Sequence, residues 1–434
     1  MNKTVRVLYV AVIVLSLSAG KLFLFPSGLL HGQSKYLPYD HLSSPDNDYP
    51  VSALAVILHQ TQFTDLPLIK ELPDPFQRND GSRVKSRAQW MTHRAELKEK
   101  VQRYEYGHLA PSSTVKVVSI SSDSVIDLGS DMFKKRTVQL QTGPGGAISF
   151  SVILYIPGAG KGPFPVIADG DLCWGALMSS KRLKPEGVLS IVKRGYIIAE
   201  FDRTKFVPDK NVRNTGVYPL YSGYDWGALA VWAWGYQRVV DFLVTQNYID
   251  KEKICATGWS RGGKTALLAG ALDERFALVA PNCAGTSGSG PLRYIDAGGE
   301  TPDGIATNFP YWFNTDFQNF KGIDRDKIPF DQHTLIALVA PRAYLSTNGL
   351  QDTHANPKGT AQAHLAAREV FSALGAENKT GIFYTNSGHD HNIDKWIALI
   401  DFADMIFYGK KAAYDYNSIP FPNMEKAYTW SRPF

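Results

Sequence analysis

A mostly parallel β-sheet covered by helices on both faces is predicted by three observations. Short apolar runs of strand length alternate with helical stretches from about residue 115 to 407. Gly-, Pro- and Asp-bearing turns separate these runs. With 434 residues, 44% hydrophobic and 20% charged, the chain suits one large α/β domain with decorations, or two domains. Alternation of this kind means right-handed crossovers, and it places catalytic groups in loops at the carboxyl ends of the strands.

The elements follow in order. In residues 1–20, Lys3 and Arg6 precede the apolar run Val7 to Leu17, and Ser18, Ala19 and Gly20 follow. This is the pattern of a secretory signal peptide. The apolar core is short for a membrane span, and Leu22-Phe23-Leu24-Phe25 keeps an uncleaved anchor as the alternative. Residues 21–110 read as a Pro-, Ser- and Asp-rich lead-in ending in an amphipathic packing helix, Trp90 to Tyr106.

Residues 111–410 form the α/β domain. Arg136 to Gln141 and Ile148 to Ile156 alternate as strands around a Thr142 to Gly146 turn. Further strands are expected at Phe164 to Ala168, Tyr196 to Phe201, Lys253 to Thr257, Ala277 to Ala280, Ala343 to Thr347 and Gly381 to Tyr384. Helices are expected at Trp226 to Thr245, Arg261 to Leu272, Thr360 to Leu374 and Ile393 to Phe407. Residues 411–434 read as a C-terminal tail.

The net charge is +5 and the pI about 8.8. No dense Lys/Arg cluster gives a nucleic-acid footprint. Nine Trp and 21 Tyr fit either sugar stacking or a large aromatic core. Three cysteines leave at least one unpaired within the chain. Cys255 reads as a buried apolar residue, and a Cys173–Cys283 disulfide is an open pairing, because both would follow sheet strands.

The chemistry centres on Gly258-Trp259-Ser260-Arg261-Gly262. A strand before it and a helix after it make this G-x-S-x-G a nucleophile elbow, the signature of the α/β-hydrolase fold. The glycines permit the sharp reversal, the turn lifts Ser260 clear of the sheet, and the Arg261 N–H faces a developing oxyanion. A serine hydroxyl needs a base to take its proton, and that base needs an orienting acid. In this fold the order is Ser, acid, His. Asp352 follows the strand ending at Thr347 and is assigned as the acid; His389, in Ser387-Gly388-His389-Asp390-His391, is assigned as the base. His391 is the alternative base. His354 and His333 are read as substrate contacts or scaffold. No metal or organic cofactor is expected, since His389-Asp390-His391 is too compact for a ligand set.

The chain also resembles the glucuronoyl esterases, carbohydrate esterase family 15, from roughly Leu72 to Phe407. The resemblance rests on Tyr104-Glu105-Tyr106-Gly107, Phe201-Asp202-Arg203-Thr204, Tyr224-Asp225-Trp226-Gly227, Gly270 to Arg275, Tyr311-Trp312-Phe313 and Pro329 to His333. Its most specific piece is Gly258-Trp259-Ser260-Arg261-Gly262-Gly263-Lys264. The resemblance implies cleavage of esters between a glucuronic acid carboxyl of xylan and an alcohol, natively lignin, hence a polysaccharide or lignin-carbohydrate ester as partner. It implies oxyanion assistance from the Arg261 side chain and sugar contact from Lys264, Glu300, Trp312 and His354. Many members carry a glutamate acid after the strand that here ends at Ala280. This chain has Pro281-Asn282-Cys283-Ala284 instead, which sends the acid to Asp352, as in a bacterial subgroup. His354 stands where members often have tryptophan. The whole reading predicts an exported enzyme, periplasmic or extracellular, with no stable membrane span after processing; the alternatives are an acetyl or other acyl esterase acting on a polysaccharide, or a non-catalytic carbohydrate-binding relative.

Overall fold

The computed structural model describes residues 63–434. The signal-peptide reading and most of the lead-in lie outside these residues. Among them, no helix is long and apolar enough to cross a membrane.

Helix α1 (Arg87–Val101) begins where the Ser86 side chain accepts from Gln89 N–H, capping an otherwise unsatisfied donor. The sequence reading started it three residues late and extended it to Tyr106. The last five residues instead wind as a π-turn, Gln102–Tyr106, which buries Arg103, Tyr104, Glu105 and Tyr106 and stops at Gly107 with φ +84°. A Cβ at Gly107 would lie 2.3 Å from Trp226 Cα.

One sheet of ten strands organises the domain. Its strands are β1 (Lys116–Ile120), β2 (Ser124–Asp127), β3 (Met132–Thr142), β4 (Ile148–Pro157), β5 (Phe164–Asp169), β6 (Ile197–Phe201), β7 (Ile249–Trp259), β8 (Phe276–Asn282), β9 (Ala343–Gly349) and β10 (Thr380–Thr385). The order is β1-β3-β4-β6-β5-β7-β8-β9-β10, with β2 also on β3. The pairs from β6 to β10 are parallel, and those from β1 to β6 are antiparallel. The parallel half is the part the alternating sequence pattern foresaw. Its strands are buried on both faces, which is why Ile197–Phe201 is apolar at four of five positions rather than alternating.

Helices α2 (Lys184–Val192), α3 (Ala228–Leu243), α4 (Arg261–Leu272), α5 (Pro302–Asn308), α6 (Gln332–Ala337), α7 (Pro357–Ala373) and α8 (Ile393–Tyr408) complete the domain. The largest core cluster holds α3, α4 and α6 with one sheet face; a second packs α2 and α8 on the other. Helix α3 is buried at nearly every position, including Trp232, Trp234 and Tyr236. Much of the aromatic wealth is therefore core.

The outermost strands are different. Val117, Val118, Ile120, Val125 and Met132 are exposed on the β1–β2 edge. Residues 411–434 pack onto the domain: Ile382 N–H donates to Tyr416 O, and Trp430 Nε1 donates to Leu72 O at 2.7 Å. The three cysteines are free, so the Cys173–Cys283 pairing is not formed. Cys255 lies in the core and Cys283 Sγ accepts from Lys395, and burial raises Cys173 and Cys283, the latter to about 11.

His108 ties α1 to the segment before α3. Its Nδ1 meets Asp225 and its Nε2 meets Glu99, each at 3.1 Å. Burial works against the charged ring, but the hydrogen bonds it donates to Asp225 and Glu99, and their charges, outweigh this and raise the imidazole to about 10. A raised folded pKa contributes stability in full below the unfolded value near 6.5, and that stability is lost as pH climbs toward 10. Thermal melts of the wild type should therefore fall toward those of a His108→Gln variant between about pH 6 and pH 9. A gap that stays constant would remove this linkage.

Candidate active site

Ser260 stands between β7 and α4 with φ +59° and ψ −121°. This is a strained conformation for a residue with a side chain, and the close packing around it explains how it is held. A Cβ at Gly258 would lie 2.5 Å from Gly262 O, and one at Gly262 would lie 2.1 Å from Asp171 Oδ1. Ser260 N–H donates to Asn282 O at 2.9 Å, and Trp259 N–H donates to Asp171 Oδ2 at 2.6 Å. The turn is thus pinned to β8 on one side and to the loop after β5 on the other. Arg261 opens α4, so its N–H belongs to the helix's first-turn donors, which have no intrahelical partner.

The acid and base candidates come from adjacent strand ends. Asp352 lies after β9, and His389 after β10. His389 Nδ1 is 2.6 Å from Asp352 Oδ2, while Asp352 Oδ1 accepts from Ala355 N–H at 3.3 Å. Asp352 is buried and His389 exposed, so the carboxylate is protected from water while the ring is open to it. Burial alone would raise the Asp352 carboxyl; the His389 hydrogen bond and charge more than reverse this and lower it. The imidazole also lies against Trp259, ring centres 5.2 Å apart, which brings it beside the nucleophile elbow. The two loops are close enough that a Cβ at Gly349 would meet Gly388 O at 2.3 Å.

His391 does not share this place. It stacks on Trp396 at 4.8 Å, and burial together with the Arg182 and Lys395 charges holds its pKa well down. The carboxylate contact therefore separates His389 from its rival. His333 is also buried, with Nε2 2.7 Å from Pro73 O, and serves as scaffold.

Beneath the histidine loop lies Lys395, fully buried. Its ammonium donates to Asp390 O at 2.9 Å, to Asp390 Oδ1 at 2.7 Å and to Cys283 Sγ at 3.3 Å. Donor atoms of Cys283, Asp352 and His389 lie within 4.8 Å of one another. Cys283 is engaged with this ammonium, and Asp352 and His389 with each other through the Nδ1–Oδ2 hydrogen bond.

Of the four expected substrate contacts, three converge. Lys264 donates to Glu300 Oε2 at 3.0 Å, and His354 Nε2 lies 3.7 Å from Glu300 Oε1. His354 is 72% exposed, whereas Lys264 is 4% exposed and also donates to Ala284 O and Thr286 O. All three ammonium protons thus have protein acceptors. Trp312 departs from its expected role. It is 2% exposed, stacked on Phe309 with centres 4.0 Å apart, and its Nε1 donates to Asp209 Oδ1 at 2.9 Å. A ring enclosed in this way offers no face to a sugar. The exposed aromatic near the elbow is Trp174, 39% accessible and 6.4 Å from Trp259. Trp174, Asp209, Asp171 and Lys395 were missed by sequence reasoning. The signal available for the first three was topological, since all lie in loops after β5 or β6 at the carboxyl end of the parallel strands.

An elbow serine with a histidine beside it that contacts an aspartate, at the carboxyl edge of a mostly parallel sheet, is the arrangement of a serine hydrolase of the α/β-hydrolase class. A family model described as glucuronyl esterase, fungi, matches residues 139–375, more than half of the chain. A carbohydrate esterase from an unknown prokaryotic organism is 29% identical over 388 residues, 77% of this chain and 89% of that protein. The 4-O-methyl-glucuronoyl methylesterase of Podospora anserina is 31% identical over 328 residues, 73% of this chain but only 63% of its own length. Among solved structures, a glucuronoyl esterase of carbohydrate esterase family 15 from Caldicellulosiruptor kristjansonii superposes with a TM-score of 0.71 at 30% identity, covering 86% of this chain and all of that one. The chain belongs to the glucuronoyl esterase family.

Proposed function

We propose that this chain is a serine esterase that hydrolyses 4-O-methyl-glucuronoyl esters of plant-type polysaccharide, including lignin-carbohydrate esters. The observation that carries the mechanism is the 2.6 Å contact between Asp352 and His389 beside the strained Ser260 elbow. His389 takes the Ser260 proton as the hydroxyl attacks the ester carbonyl, and Asp352 holds the ring with its free nitrogen toward the serine. The Arg261 N–H and guanidinium stabilise the oxyanion. The alcohol leaves with the proton from His389, which then draws a proton from water to release the uronic acid. Glu300, held in place by Lys264, and the exposed His354 supply polar contacts for the sugar. The basic, apolar and small-residue order of residues 3–20 supports export to the periplasm or beyond the cell.

A direct comparison of a methyl glucuronate ester with an acetylated xylan tests the substrate. Preference for the uronate ester by a factor of about 10² or more is expected, given that a site built for polar groups strongly rejects analogues lacking them. Equal or greater acetate release would overturn the uronate assignment in favour of a general polysaccharide acyl esterase.

Lys264→Met leaves the partly exposed Glu300 carboxylate without the cation that orients it. Since the pair faces the sugar rather than the reacting carbonyl, KM should rise about tenfold or more. A KM that does not move would remove Lys264 and Glu300 from substrate binding.

A further inference from the structure

We propose that Asp209 is the positioning residue that aims the Arg261 guanidinium at the oxyanion, an inference that rests on the esterase reading above. Arg261 is flanked by three aromatic rings. Its guanidinium carbon lies 4.8 Å from the Trp312 ring centre, 5.2 Å from Trp174 and 5.2 Å from Phe309. Such faces attract a guanidinium but offer no in-plane acceptor for its N–H groups. They fix where the cation sits and leave its rotation about its own normal unspecified. Asp209 supplies the missing direction: Arg261 NH1 donates to Asp209 Oδ2 at 2.5 Å. Nε has no hydrogen-bond partner among the described residues.

The carboxylate is itself prevented from turning. Its other oxygen accepts from Tyr311 OH at 2.8 Å and from Trp312 Nε1 at 2.9 Å. Burial would raise its pKa, but the hydrogen bonds from Trp312, Arg261 and Tyr311 and the Arg261 charge hold it below the ordinary carboxylate value. Asp209 thus joins three segments distant in sequence: its own loop after β6, the start of α4, and the Pro310–Trp312 turn. The arrangement also explains why Trp312 is enclosed, since it is a support for the cation. A flexible arginine side chain loses considerable rotamer freedom when fixed, and donors fixed before reaction are the ones that stabilise a transition state without reorganisation. Asp209 touches no reacting atom in this scheme and acts only through Arg261.

The test is a double-mutant cycle on the full chain, with a methyl glucuronate ester as substrate. Turnover of that ester by the wild type checks the esterase reading independently of the cycle. Asp209→Asn should lower kcat by about 10- to 100-fold, less than the roughly 10²–10³ for losing an oxyanion donor outright because the guanidinium itself remains, with KM changed by less than about twofold. In an Arg261→Ala background the same substitution should cost less than about threefold, because residues acting as a unit are not additive. Asp209→Glu, which retains the charge, should recover part of the lost kcat. Should Asp209→Asn melt early, Tyr311→Phe, which removes one donor to the same carboxylate, takes its place in the cycle with the same expected non-additivity. An equal loss in both backgrounds, a loss confined to KM, or an unchanged kcat in Asp209→Asn would overturn the proposal.

Discussion

Ser260→Ala is expected to lower kcat by about 10⁶-fold, the scale of loss when the serine of a comparable catalytic unit is removed, while leaving the melting temperature close to that of the wild type. The hydroxyl is the only atom removed. The elbow backbone stays held by Ser260 N–H on Asn282 O, by Trp259 N–H on Asp171 and by the close Gly258–Gly262 approach. Initial rates with a uronate methyl ester, together with a melt, separate the two effects. Residual turnover above about a thousandth of wild type, beyond what binding and oxyanion groups alone sustain, would mean that another group attacks the ester. Loss of the fold would mean that the serine is needed for the turn itself.

Asp352→Asn carries the second largest expected loss, about 10⁴-fold in kcat, as in a worked case where the acid of a triad became an amide. The carboxylate accepts from His389 Nδ1, which leaves the other ring nitrogen free to take the serine proton. An amide at this position can present its NH₂ to Nδ1 and favour the opposite tautomer. Among the described residues, the acid beside the base is already engaged elsewhere. Asp390, the nearest by sequence to the base, accepts from Lys395 at 2.7 Å and from Ser387 at 3.1 Å. Since the Asp352 carboxyl is held below its ordinary value, it stays ionised through the neutral range, and the activity of the wild type should not lose its acid until well into the acidic range. Retention of full kcat in Asp352→Asn would remove this residue from the acid role.

The parallel half of the sheet and the three central side chains were legible in the sequence for one reason: their signals are local. A strand, a G-x-S-x-G turn and a helix follow one another without a gap, and Asp352 and His389 each come just after a short apolar run. The partners of Arg261 were not legible. Asp209 lies 52 positions away from it, in a loop with no motif, and only the crossover from β6 brings the two together. Trp312 was misread because residue type records an aromatic ring but not which of its faces is covered; Phe309 and Arg261 cover it. Lys264 was found, but its role was only half visible. An ammonium four residues past the serine points to substrate, and nothing in the string tells that Ala284 O and Thr286 O already engage it. The rival histidine was settled by packing, since Trp396 claims His391 and leaves Asp352 to His389.

The apolar rim of the sheet bears on how the protein behaves in concentrated solution. Strand β1 and its continuation β2 close one end of the ten-stranded order with Val118, Ile120 and Val125 open to water. Unpaired backbone beside exposed β-branched residues is a template for another chain. The acid and base loops belong to β9 and β10 at the opposite extreme of that order. Self-association through the rim would thus take molecules out of solution while their catalytic ends stay open, so precipitated protein would keep its specific activity on small esters and lose it only on bulky chains that cannot diffuse in.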